Sequence, residues 1–77
     1  MSDTVLDVKG LTCPLPVLKA NKALRALPGG ARLTVLATDP ASLADFQAFC
    51  AETGHELLAT ETVAGVFRFS LRKRATP

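Results

Sequence analysis

Thr12-Cys13-Pro14-Leu15-Pro16 places a cysteine directly before two prolines, at the start of an amphipathic pattern. Proline holds φ at about −65° and lacks a backbone N–H, so it suits the first turn of a helix and little else within one. We therefore predict that Cys13 caps a helix with Pro14 and Pro16 in its first turn. The pattern continues from Pro14 to Leu27, and the sequence Pro28-Gly29-Gly30 should end the helix.

The segments on either side of this helix have the composition of strands and of a second helix. Residues 4–8 and 32–38 are short, β-branched and apolar, which is typical of strands. Asp39 and Pro40 then form a second helix-start signal, with an acidic N-cap before proline. A second helix is predicted over residues 40–53, ending at Gly54. Its apolar face is formed by residues at helical spacing, namely Leu43, Phe46, Phe49 and Cys50.

Two further strands, residues 56–63 and 66–72, should form a hairpin around the turn Ala64-Gly65. The element order β-α-β-α-β-β predicts an α/β fold, a two-layer sandwich with both helices on one face of the sheet. Cys13 and Asp39 should then lie at one edge of the sheet, together with Ala64-Gly65 if the third strand is parallel to the first two. Arg72-Lys73-Arg74 should lie at the far edge, and residues 75–77 should form a frayed tail.

Composition limits the classes of function. The chain has 77 residues and a net charge of +2, so we expect one domain over residues 1–77 and no strong demand for nucleic acid. No apolar run is long enough to span a membrane, and Met1-Ser2-Asp3-Thr4 lacks the features of a signal peptide, so the cytoplasm is expected. Two cysteines and one histidine are too few for a structural zinc site, and we expect no metal, no cofactor and a monomer.

The chemistry of Cys13 is that of a lone thiol. The helix N-terminus should lower its pKa moderately, through the N–H groups of Leu15 and Val17, since Pro14 and Pro16 have none. Nearby acidic side chains (Asp7, Asp39) would oppose ionisation and basic ones (Lys9, Lys19) would favour it. His55 should lie away from Cys13, so no base for hydrolysis is at hand, and no resolving cysteine follows. A thiol of this kind is suited to carry a sulfur atom as a persulfide, as a sulfurtransferase-type carrier rather than a stand-alone turnover enzyme.

Several other residues have a structural and a functional interpretation. Gly10 lies in the loop before Cys13 and is free to take a positive φ. Cys50 is expected to be buried on the apolar face of the second helix. The basic stripe, defined as Lys19, Lys22 and Arg25, is either a solvated face or a docking surface for an acidic partner.

Asp7, Gly10, Cys13, Pro14 and Pro16 stand in the order D-x-x-G-x-x-C-P-x-P, and the chain resembles the TusA family, also called SirA-like proteins. Residues 38–42, 49–50 and 54–57 resemble the second-helix region of that family. The resemblance implies a sheet of order 1-2-4-3 with strand 4 antiparallel to the others. It also implies that Cys13 carries the persulfide, supported by Gly10, Pro14, Pro16 and Asp39.

The same resemblance implies the kinds of partner. The donor would be a cysteine desulfurase or a rhodanese-like protein, and the acceptor a DsrE-like or similar protein with a reactive cysteine. The pathway would be tRNA thiolation, molybdenum cofactor assembly or sulfur oxidation. Leu15 departs from the acidic residue that members in tRNA thiolation often carry between the prolines, which implies a different docking partner. Leu15 and the basic stripe are the predicted docking residues.

Two alternatives to the carrier remain open at this point. The basic stripe could make the chain an RNA-binding or regulatory module, although most of the four phenylalanines are needed in the core, which leaves few for stacking on bases. Cys13 could also be a redox sensor, but no resolving cysteine is in sight. For the leading interpretation no direct contact with nucleic acid or membrane is expected.

Overall fold

A computed structural model describes residues 3–75 and contains six elements in the predicted order. The strands and helices are β1 (Asp3–Asp7), α1 (Leu15–Arg25), β2 (Arg32–Ala37), α2 (Ser42–Thr53), β3 (Glu56–Val63) and β4 (Val66–Arg72). The predicted bounds of β3 and β4 are confirmed. Of the predicted frayed tail, Thr76 and Pro77 lie outside the described residues.

The sheet has the order β1-β2-β4-β3, as the resemblance implied. β1 pairs with β2 in parallel, and β4 runs antiparallel to both of its neighbours, so β3 is parallel to β1 and β2. β1, β2 and β3 therefore end at the same edge of the sheet, which we call the carboxyl edge. Ala64 and Gly65, which join β3 to β4 there, both have positive φ, as a two-residue hairpin turn of this hand requires.

One face of the sheet packs against both helices, and this confirms the two-layer sandwich. Leu33, Val35 and Ala37 of β2 alternate with half-exposed residues and are fully buried. Burying apolar surface at about 25 cal/mol per Å² supplies the main stabilising free energy of such a core. The remaining buried apolar residues come from the helices, from β4 and from the segment after β1, namely Val8, Ala20, Leu24, Phe46, Phe49, Cys50, Phe69 and Leu71.

The start of α1 differs from the prediction. Pro14 is the N-cap and Leu15 the first helical residue, so the prediction that Cys13 caps the helix is wrong. The Leu15 N–H donates to the Thr12 carbonyl at 2.9 Å, and this turn places Cys13 one residue ahead of the cap. The Cys13–Pro14 peptide bond is cis. Pro16 is buried in the first turn, and α1 ends at Arg25, two residues before the predicted Leu27.

The start and the buried face of α2 also differ. The helix begins at Ser42 instead of Pro40, because the Ser42 N–H donates to the Asp39 carbonyl at 3.0 Å in a tighter turn. Ser42 is 1 % exposed, whereas Leu43, which we predicted on the apolar face, is 38 % exposed. Ser42 lies four residues before the buried Phe46 and so shares its face, since side chains at i and i+4 are aligned. Gly54 ends the helix in the left-handed conformation, as predicted.

Smaller shifts affect the first two strands. β1 covers Asp3–Asp7 instead of residues 4–8, and Val8 follows it as a buried residue whose N–H donates to the Leu36 carbonyl at 2.8 Å. β2 ends at Ala37, one residue before the predicted Thr38. Within residues 3–75, neither helix is long and apolar enough to cross a membrane.

Candidate functional site

Cys13 is an exposed free cysteine in the loop between β1 and α1, at the carboxyl edge. Its backbone N–H donates to Asp39 Oδ2 at 2.5 Å, while Asp39 Oδ1 accepts from the Ala41 N–H at 3.2 Å. One carboxylate thus links the loop that carries Cys13 to the loop that precedes α2. The prediction that Asp39 lies near Cys13 is confirmed, but the prediction that it is the N-cap of α2 is wrong, because Ala41 occupies that position.

Gly10 shapes the same loop three residues earlier. Its φ is +82°, a positive value that glycine is free to take, and its N–H donates to Thr38 Oγ1 at 2.9 Å. A Cβ at Gly10 would meet no atom within 4 Å, so the backbone conformation alone favours glycine here. The hydrogen bond to Thr38 is a second link between the loop of Cys13 and the end of β2.

Asp45 is a site residue that sequence reasoning missed. It is half-buried on α2 and lines, with Cys13, an open cavity of about 200 Å³ that we call the Cys13 cavity. Pro14 and Val17 from α1 and Ala48, Phe49 and Glu52 from α2 complete its lining. The available signal was helical spacing, since Asp45, Ala48 and Phe49 recur at three and four residues on a helix that starts at the same edge.

The electrostatics at Cys13 are opposite to the expected moderate activation. The pKa of the thiol is raised above its ordinary value, first because the Asp45 side chain hydrogen bonds to the protonated sulfur, and next through partial desolvation. The negative charges of Asp45 and Asp39 raise this pKa further. Of the two predicted helix-end donors, the N–H of Leu15 donates to the Thr12 carbonyl instead, which leaves that of Val17, since Pro14 and Pro16 have none.

His55 and Cys50 have structural environments, as predicted. His55 lies directly before β3, at the edge of the sheet opposite Cys13, where its Nδ1 accepts a hydrogen bond from the Arg74 N–H at 3.0 Å. Burial, then the charges of Arg74 and Lys73, lowers its pKa. Cys50 is 7 % exposed, and burial raises the pKa of its thiol. Cys13 is therefore the accessible thiol of residues 3–75.

The predicted docking residues all lie on the surface. Leu15 is 42 % exposed beside Cys13, and Lys19, Lys22 and Arg25 are exposed along α1. Leu18, 55 % exposed, adds a second apolar side chain to this region. A larger cavity, of about 450 Å³, lies elsewhere and is lined by Leu27, the residues 28–31 and the starts of β1 and β2. Cys13 is thus presented on an open surface and not inside an enclosed pocket.

A mixed four-stranded sheet under two helices, with one accessible thiol at its carboxyl edge, defines a class of small α/β proteins that present a single cysteine to other molecules. The profile of the family described as "Sulfurtransferase TusA" matches residues 4–73. The chain therefore belongs to the TusA family and is a sulfur carrier protein, as the resemblance in its sequence indicated.

Individual relatives agree with this assignment. The chain is similar to the sulfur carrier protein TusA of Allochromatium vinosum, with 48% identity over 71 residues, covering 92% of this chain and 93% of the relative. It is 44% identical over 73 residues to the sulfur carrier protein TusA of Pseudomonas entomophila, covering 95% of this chain and 91% of that one. The crystal structure of a SirA-like protein from Desulfitobacterium hafniense superposes with a TM-score of 0.81 at 29% identity, covering 92% of this chain and 97% of that chain.

Proposed function

We propose that Cys13 accepts a sulfane sulfur atom as a persulfide and passes it to a cysteine of an acceptor protein. The observation that carries this proposal is the contrast between the two free cysteines, one exposed at the carboxyl edge and the other buried. A resolving thiol next to a persulfide would expel the carried sulfur as sulfide. The buried position of Cys50 in the core therefore suits a carrier.

The atoms, protons and electrons of the transfer balance between the two proteins without a cofactor. The Cys13 thiolate attacks the outer sulfur of a donor persulfide, so a new S–S bond forms and the donor's S–S bond breaks. The donor leaves as a thiolate and takes up the proton that Cys13 released. The products are the Cys13 persulfide and the donor thiol, with no net oxidation. A second step of the same kind moves the outer sulfur to the acceptor's cysteine.

The surface around Cys13 supports docking to proteins. In this proposal the donor is a cysteine desulfurase or a rhodanese-like protein, and the acceptor is a DsrE-like or similar protein. The relay operates in the cytoplasm, where thiols stay reduced, and serves tRNA thiolation, molybdenum cofactor assembly or sulfur oxidation. Exposed Leu15 supplies apolar contact at the thiol, and Lys19, Lys22 and Arg25 supply positive charge for an acidic partner surface.

The proposal is tested by loading the protein with sulfur. After incubation with a cysteine desulfurase and cysteine, or with thiosulfate and a rhodanese, intact mass should rise by about 32 Da per sulfur atom. Cys13→Ser should abolish the gain, whereas Cys50→Ala should retain it. Loading that survives in Cys13→Ser would refute the assignment of Cys13.

A further inference from the structure

We propose that Asp45 is a positioning residue that holds the Cys13 sulfur in its protonated form and so protects the free carrier from side reactions with small disulfides and electrophiles. The inference rests on the function proposed for Cys13, since a carrier thiol must react with its partners and avoid other molecules. Asp45 lies on α2 and acts through Cys13 without being the attacking group.

The geometry that supports this role is the Cys13 cavity. Cys13 and Asp45 line the same cavity of about 200 Å³, between the start of α1 and one side of α2. Val17 and Phe49 give this cavity apolar walls, and Asp45 is half-buried. The shared lining brings the Asp45 carboxylate close to the Cys13 thiol, and the charge of a carboxylate at short range opposes ionisation of a thiol.

The other acidic groups near Cys13 are less suited to this role. Both oxygens of Asp39 accept backbone N–H groups, from Cys13 at 2.5 Å and from Ala41 at 3.2 Å. Those bonds partly neutralise its charge, and they hold it on the backbone of Cys13. Glu52 lines the same cavity but lies two helical turns beyond Asp45 on α2.

Basic groups do not offset Asp45 within residues 3–75. Lys9, four residues before Cys13, pairs with Asp7 at 3.7 Å, and Lys19 on α1 forms no ion pair in this part of the chain. No lysine, arginine or histidine nitrogen of residues 3–75 lies within 4.0 Å of the Asp45 carboxylate. No cation of residues 3–75 therefore pairs directly with the Asp45 carboxylate.

The chemical consequence follows from the thiolate being the nucleophile. A carboxylate that accepts a hydrogen bond from S–H stabilises the thiol and repels the thiolate, in agreement with the raised pKa of Cys13. Exchange with a small disulfide such as oxidised glutathione needs the thiolate. In that reaction Cys13 forms a mixed disulfide, and one glutathione leaves with the proton that Cys13 loses. Fewer thiolates at neutral pH mean slower loss of the carrier to this reaction.

The test is the pH profile of Cys13 alkylation by iodoacetamide, measured from about pH 6 to about pH 11. Trypsin cuts after Lys9 and Lys19, so the peptide 10–19 reports Cys13 separately from Cys50 in peptide 33–68. Asp45→Asn removes the charge and keeps the size, Asp45→Glu restores the charge, and Glu52→Gln is a matched control in the same cavity. Formation of the mixed disulfide with oxidised glutathione at about pH 7 is measured on the same variants.

Asp45→Asn should move the profile to lower pH and raise both rates at about pH 7 by roughly three- to tenfold, since one pKa unit changes the thiolate fraction about tenfold. Asp45→Glu and Glu52→Gln should stay within about twofold of the parent protein. At the highest pH the rates of all variants should converge, because access to the sulfur is unchanged. An Asp45→Asn profile equal to that of the parent, or a shift of equal size in Glu52→Gln, would overturn the inference.

Rates raised equally at every pH in Asp45→Asn would also overturn it, because they would indicate a loosened structure instead of a changed protonation. These outcomes are independent of sulfur loading. A parent protein that fails to gain sulfur on Cys13 refutes the proposed function even if the pH profile shifts. A parent protein that loads normally while Asp45→Asn leaves the profile unchanged refutes only the role of Asp45.

Discussion

The reactivity of Cys13 is set by side chains from two neighbouring segments more than by the end of α1. Asp39 holds the backbone of Cys13 in place, and Asp45 raises the pKa of its sulfur. The helix offers few donors to the sulfur, because Pro14 and Pro16 have no N–H and the N–H of Leu15 donates to the Thr12 carbonyl. The Cys13 thiol is therefore exposed to solvent but weakly ionised, so its exposure alone does not make it reactive.

At the residue scale we predict a pH dependence of stability that arises from His55. Its pKa is lowered in the folded protein, so the unfolded chain binds the proton first as the pH falls. The stabilisation from the neutral ring, which accepts the Arg74 N–H, is present above the unfolded pKa of about 6.5 and is lost as the pH falls through the folded value. Urea unfolding at about pH 7.5 and about pH 5 should show a loss of stability at the lower pH.

His55→Asn provides the control for this prediction, because its side chain has an acceptor but does not titrate. The loss of stability between the two pH values should be smaller in His55→Asn than in the parent protein. Equal losses in the two proteins would show that other groups, such as carboxylates, cause the dependence.

At the scale of the elements, α2 begins two residues later than predicted and buries Ser42 in place of Leu43. Ser42 takes the place in the core that the sequence pattern assigns to Leu43. The Ser42 hydroxyl is buried and forms no hydrogen bond within residues 3–75. An unpaired buried hydroxyl costs about 1–3 kcal/mol of desolvation, so this position does not depend on the hydroxyl for stability.

We therefore predict that Ser42→Ala leaves the free energy of unfolding unchanged or raises it by about 1 kcal/mol, since it removes the unpaired hydroxyl and favours the helix. Leu43→Ala should cost less than about 1 kcal/mol because its side chain is already 38 % exposed. Phe46→Ala removes a fully buried ring whose centroid lies 4.8 Å from that of the Phe69 ring, and it should cost about 3–5 kcal/mol.

These three values are measured together by chemical denaturation of the variants. A Leu43→Ala loss comparable to that of Phe46→Ala would restore the face predicted from the sequence. A loss above about 1 kcal/mol in Ser42→Ala would show that its hydroxyl has a partner in solution.

The elements also show what the sequence could and could not predict. The alternation of Phe67, Phe69 and Leu71 with polar residues predicted both ends of β4 correctly, because alternate side chains of a strand point to the same face of the sheet. The starts of α1 and α2 were misplaced by one or two residues, because Thr12 and Asp39 each accept an extra turn bond before the helix begins. Such bonds depend on the path of the loop, which composition does not reveal.

At the scale of the whole molecule, the topology places the Cys13 thiol and the basic residues Arg72-Lys73-Arg74 at opposite edges of the sheet. Cys13, Asp39 and the turn Ala64-Gly65 lie at the carboxyl edge, whereas Arg72 pairs with Arg32 at the start of β2, on the opposite edge. The basic stripe runs along α1 between the two edges. Element order alone predicted the edge for Cys13 and Asp39. Helical spacing could place Asp45 on one face of α2, but its approach to Cys13 also depends on how α2 packs against α1, which spacing does not specify.

We predict that the basic stripe speeds sulfur loading by attracting an acidic donor surface. Lys19→Glu and Lys22→Glu should each lower the loading rate by roughly three- to tenfold at low salt, with the difference narrowing as salt screens the charges. Arg32→Glu, with the same change of charge at the opposite edge, should change the rate by less than about twofold. Stopped loading reactions followed by mass spectrometry measure these rates.

If Arg32→Glu slowed sulfur loading as much as Lys19→Glu and Lys22→Glu, the rate would depend on the net charge of the protein and not on the basic stripe. An RNA complex that Lys22→Glu abolishes and Cys13→Ser leaves intact would favour an RNA-binding module over the carrier.

The most direct test of the central claim is to locate the added sulfur in the chain. The protein is incubated with an active sulfur donor, its persulfide is capped by alkylation, and tryptic peptides are weighed. Peptide 10–19, which contains Cys13, should carry an additional mass of about 32 Da, and peptide 33–68, which contains Cys50, should carry none. Added sulfur on peptide 33–68, or on neither peptide while the donor itself is loaded, would contradict the assignment of Cys13 as the sulfur carrier.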